Sequence, residues 1–174
     1  TWSDLFGSGT NYSAVAVKDS QLPHFSKSAL QAGTQFADGS VMVNDVITGE
    51  ASKVSNTILM YLPASAKKSL ENNTPLNPTR YRVVEFLTGF PSQPLMWQKV
   101  MKIDQELSKY NKIHRSRQII GLFPQVNVAG NYDLECMNLP GGKPAAESWL
   151  TTDMRKYLEH RIGVTNQKWS ILGL

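Results

Sequence analysis

Apolar residues recur along this chain with two different periods, which divide it into strands and helices. Tyr12, Ala14 and Ala16 alternate with Ser13, Val15 and Val17, the rhythm of a short strand. Val41 to Val43 and Val46 to Thr48 are strand-like, with turn signals at Asp38-Gly39 and at Asn44-Asp45, a pattern that predicts tight hairpins. Thr57 to Leu62 is a nearly unbroken apolar run stopped by Pro63, which predicts a buried strand. Pro63 then suits the start of a short helix over about 64–72, whereas Pro75 and Pro78 exclude regular structure between 72 and 79. Tyr81 to Phe90 is rich in β-formers and ends at Pro91, the pattern of a central strand. Gln118 to Phe123 and Tyr132 to Leu139 predict two more.

The other period belongs to helices. Met96, Val100, Ile103, Leu107 and Tyr110 follow one another at steps of four, three, four and three, predicting one amphipathic helix over about 95–112. A second helix is expected over about 145–162, with Trp149, Leu150, Met154, Tyr157, Leu158 and Ile162 inward and Gly163 just past its end. Strands interspersed with helices, joined by hairpin turns, place the chain in the α+β class, as one domain with a mainly antiparallel sheet. Residues 1–10 read as an apolar N-terminal arm, with Trp2, Leu5 and Phe6 ahead of Gly7 and Gly9, and residues 11–174 as the domain. The other end is apolar as well. Trp2, Leu5, Phe6, Trp169 and Leu172 are therefore the candidate self-association residues, and a homo-oligomer is expected.

Charge changes this picture in one place. The chain has 174 residues and a formal net charge of +4, and charged residues are 18% of the total, below the ~25% of average soluble proteins. The excess lies in the second half, where Lys99, Lys102, Lys109, Lys112, Arg115 and Arg117 face only Asp104 and Glu106 within one short segment. These six cations are the candidate contact for an anionic partner, nucleic acid or an acidic membrane surface, with Trp97 and Tyr110 as candidate stacking residues. No run approaches the ~20 apolar residues of a membrane span, and no leader is visible, so a soluble intracellular protein is expected.

Candidate chemistry is sparse. The single cysteine, Cys136, has His24, His114 and His160 as its possible bases, but strand parity places it with Tyr132 and Leu134 on an apolar face, as a buried thiol. Three dispersed histidines without a short-range pair argue against a metal site. Gly7-Ser8-Gly9 lacks the third glycine of a dinucleotide loop, and Gly141-Gly142-Lys143 is followed by Pro144 where a phosphate loop needs Ser or Thr. No cofactor is therefore expected. Glu85 is the one acid in an apolar strand, with Arg82 as its expected partner. Taken together, these features suggest a non-enzymatic structural or assembly protein, a virion matrix-like or coat-like subunit. The alternatives are a nucleic-acid-binding accessory protein, or an enzyme whose site is assembled from distant residues, where His114 would be the first residue to suspect.

Overall fold

The computed structural model describes residues 25, 27–89, 91–126, 137, 145–163 and 170–173; the side chain of His160 lies outside this description. Among these residues the elements run α1 (Lys27–Ala32), β1 (Thr34–Gln35), β2 (Val41–Thr48), β3 (Ser55–Leu62), α2 (Ala64–Glu71), β4 (Tyr81–Leu87), α3 (Met96–Lys99), α4 (Ile103–Ile113) and β5 (Gln118–Pro124). They continue through α5 (Ala146–Ser148), a π-helical turn (Trp149–Asp153), α6 (Met154–Ile162) and β6 (Ser170–Gly173). The expected strands at 12–17 and 132–139, the arm at 1–10 and Cys136 lie outside the described residues.

The α+β reading holds. Six strands form one mixed sheet in the order β1-β2-β3-β5-β4-β6. The described pairings β1–β2, β2–β3 and β3–β5 are antiparallel, while β4 runs parallel to both β5 and β6. Alternation along the strands sends side chains to two faces, and both are covered. Val41, Val43, Ile58, Met60, Val83, Ile120 and Leu122 pack under Leu30, Leu70, Met154, Leu158 and Ile162, so α1, α2 and α6 cover one face. Met42, Leu59, Tyr61, Phe86 and Phe123 pack with Trp97 and Leu107 of α3 and α4 on the other.

Two sequence expectations change here. Asn44-Asp45 is not a turn: β2 runs unbroken from Val41 to Thr48, paired residue for residue with β3. The strand tolerates Asp45 because Tyr157 donates its hydroxyl proton to the carboxylate and Arg161 lies 3.6 Å from it. The helix expected over 95–112 is broken in two. Lys102 adopts a left-handed backbone (φ 53°) between α3 and α4, leaving Val100 and Met101 exposed. On one straight helix the directions of Trp97 and Leu107 would differ by about 80°; the break lets both reach the same sheet face. The short helix near 64–72, and the last helix with Gly163 left-handed (φ 74°) at its end, lie where the sequence places them.

Asp153 ties the last helix to the rest. Its carboxylate is buried and accepts the backbone N–H groups of Ala51 (3.0 Å) and Ser52 (2.9 Å) in the loop between β2 and β3. Gly49 makes room for it, since a Cβ there would collide with the carboxylate. Replacing Asp153 by Ala should strand both N–H groups and destabilise the fold by about 2–4 kcal/mol. Gly49→Ala should cost about 1–3 kcal/mol through overpacking alone. Urea denaturation of the two variants checks both values.

Candidate functional site

In a sheet with parallel strands, ligands bind outside the carboxyl ends where connections depart to opposite faces. Here the connection leaving β4 crosses one face through α3 and α4, and the one leaving β5 crosses the other through the π turn and α6. The carboxyl ends of β4 and β5 therefore open between two layers. Their exits are joined by polar contacts: Gln125 donates its side-chain amide to Gln93, and Asn56 donates to the Gln125 carbonyl at 3.2 Å. After β4 the chain turns at once, Ser92 N–H meeting the Gly89 carbonyl at 2.8 Å while buried Thr88 points its hydroxyl toward the Ser92 carbonyl. Trp97 packs edge-on against Phe86 at 5.1 Å, two residues before the turn, and Phe86 stacks on Phe123 at 4.9 Å.

Glu85 lies two residues before the end of β4, below this rim. It is 5% exposed, between Leu122 of β5 and Ile171 of β6, and its Oε1 makes no hydrogen bond. Burial pushes its carboxyl up to about 7, against the lowering effect of the Arg155 charge. Arg82 is not its partner, because residues three apart on a strand point to opposite faces.

The six predicted basic residues are all exposed, but they do not form one surface. Lys99 ends α3, Lys102 occupies the left-handed break, and Lys109 is ion-paired to Glu106 at 2.9 Å. Arg117 lies in the turn before β5. Lys109 and Lys112 share one hollow with Asp38 and Asp104, and Lys112 and Arg115 line another at the amino ends of β4 and β5 together with Arg80, which the sequence pattern does not single out. Arg80 is 32 residues upstream of Lys112, so only the parallel pairing of Tyr81 with Gln118 brings it there. The stacking pair is also revised. Trp97 is 2% exposed and committed to the core, and Tyr110 stacks on His114 at 4.1 Å. His114 itself caps the carboxyl end of α4, at the amino end of β5 and away from the rim. Leu172 is exposed on β6; Trp2, Leu5, Phe6 and Trp169 lie outside the described residues. No group of three or more His, Cys, Asp or Glu among the described residues is placed to hold a metal ion, and no described helix is long and apolar enough to cross a membrane.

No protein-family model matches this sequence, and no curated protein matches it. Solved structures do. A ferulic acid esterase superposes with a TM-score of 0.61 over 77% of this chain at 17% identity. An S-formylglutathione hydrolase from Agrobacterium tumefaciens gives 0.58 over 80% at 15% identity, and one from Staphylococcus aureus 0.55 over 77% at 10%. The fold is the one these esterase and hydrolase chains use. This chain spans about half the length of each, 48%, 50% and 47% respectively. The likeness overturns the expectation of a non-enzymatic, matrix-like or coat-like viral subunit. That expectation took the low charge and the absence of a compact catalytic motif together, and neither feature bears on which fold the chain adopts.

Glu85 gives this region a measurable pH signature. Its carboxyl is raised in the folded state, so the native protein holds a proton that the unfolded chain releases above its ordinary value of 4.5. Stability contributed by that proton is complete at low pH and is lost as pH rises toward about 7. Glu85→Gln should therefore be more stable than the parent by about 2–3 kcal/mol near pH 8 and equal to it near pH 4, as read by denaturation at each pH.

Proposed function

We propose that the protein is a carboxylic-ester hydrolase, to which this chain contributes the sheet and the carboxyl-end turns bordering the reaction site. The observation that carries this reading is the strand order β2-β3-β5-β4-β6 with its crossovers on opposite faces, in a chain that superposes on esterases. Ester hydrolysis requires an activated nucleophile, a base, and N–H donors aimed at the oxyanion. The turn after β4 is closed by the Ser92 N–H on the Gly89 carbonyl and lies at the carboxyl end of the strand, where an oxyanion donor belongs. β6 ends level with it, Gly173 opposite Leu87. This is the enzyme reading with a site assembled from distant residues; His114 plays no part in it.

The test is made on the whole protein that carries this chain. It should hydrolyse p-nitrophenyl acetate and take up one equivalent of a fluorophosphonate probe, with loss of activity tracking the labelling. Mass spectrometry of the labelled peptide identifies the nucleophile. A folded protein that neither hydrolyses the ester nor reacts with the probe would refute the reading.

A further inference from the structure

At the other end of the parallel strands, the cavity containing Lys112 and Arg115 has the makings of a ligand site. It measures about 450 Å³ and is lined by three cations from three separate segments: Arg80 before β4, Lys112 in the last turn of α4, and Arg115 in the turn to β5. None of the three takes part in an ion pair among the described residues. The one lining acid, Asp38, is already satisfied, accepting the Ser40 N–H at 2.9 Å, the Ser40 hydroxyl and the Ser108 hydroxyl at 2.6 Å. The cavity therefore carries a surplus of about two positive charges.

Two further features turn a basic hollow into a shaped one. The first is Tyr61, a wholly buried residue of the cavity wall whose hydroxyl, beside Ser40, makes no hydrogen bond. An orphaned buried hydroxyl costs about 1–3 kcal/mol, which an acceptor oxygen in the cavity would offset. The second is the start of α2: Pro63, Ala64 and Ser65 line the cavity, and no side chain caps this helix end, which leaves its first N–H groups without a side-chain acceptor at this part of the wall. The rest of the wall is held in place by hydrogen bonds. Ser65 joins the Tyr81 hydroxyl and Gln118, and Gln118 donates to the Asn111 carbonyl at 3.1 Å.

We propose that this cavity binds a compact dianion, a phosphate group carried either as inorganic phosphate or as a small phosphate monoester. Guanidinium groups match phosphate oxygens in pairs, the lysine adds a point charge, and the tyrosine hydroxyl and helix N–H groups donate to the remaining oxygens. A long polyanion is not the ligand, because Lys99, Lys102 and Lys109 do not line the cavity.

The experiment is isothermal titration with inorganic phosphate and, separately, with glycerol phosphate, each against sodium chloride of equal ionic strength. One site should be found for phosphate. Tighter binding of the monoester would identify the esterified form as the ligand, and equal or weaker binding the free ion. Arg80→Gln, Lys112→Gln and Arg115→Gln should each weaken binding about tenfold, Tyr61→Phe about fivefold, and Arg117→Gln not at all. Urea midpoints separate these losses from unfolding, and Arg115→Gln, at an exposed turn position, keeps the test open should Tyr61→Phe unfold the protein. No binding up to about 10 mM phosphate, or an equal loss in Arg117→Gln, would overturn the proposal.

Discussion

Parallel strands cannot be joined by a tight turn, so pairing β4 with β5 obliges the chain to leave the sheet, cross one face and return. That crossover is α3 and α4. The next connection, from β5 to β6, passes β4 on the opposite face through the π turn and α6. Both faces of β4 and β5 must then be apolar, which accounts for Val83, Ile120 and Leu122 on one side and Phe86 and Phe123 on the other. The same geometry opens the carboxyl ends between the two helix layers and gathers the amino ends under α2 and the end of α4.

Buried polar groups are handled differently at the two ends of the strands. At the carboxyl end, the Asp153 charge is compensated by two backbone N–H groups, which fasten the last helical segment to the β2–β3 loop. Glu85 close by has no such donors, and its carboxyl retains its proton to near neutrality. At the amino end, Asn111 bridges the start of β5 by donating to the Ile119 carbonyl at 3.1 Å and accepting the Ile119 N–H at 2.7 Å. Tyr61 is left unsatisfied beneath a surplus of positive charge. Burial without a donor shifts Glu85 toward its neutral form, and burial likewise pushes the Tyr61 hydroxyl up to about 12, so that it remains a proton donor.

Much of the local structure was legible in the sequence. Pro63 and Gly163 mark real boundaries because proline and glycine act on the backbone whatever surrounds them. The runs at 57–62 and 118–123 are strands, and so is the run expected over 81–90 as far as Leu87, because their β-branched and aromatic residues suit two-sided burial. Local pattern misled where a tertiary partner compensated a local cost. Asp45 stays in a strand because Tyr157 and Arg161 reach it from 112 and 116 residues away, and the helix breaks at Lys102 because Trp97 and Leu107 must meet one surface.

The sequence by itself determined the α+β class, the helices near 64–72 and 145–162, the main strands, and a basic segment around α4. Each follows from side-chain type at short separations along the chain. Only the tertiary structure decided that β4 and β5 run parallel, that Arg80 joins Lys112 and Arg115, that Trp97 belongs to the core, and that the fold is shared with esterases. Those outcomes depend on which strands become neighbours, and pairing between distant segments leaves no periodic mark in either segment alone.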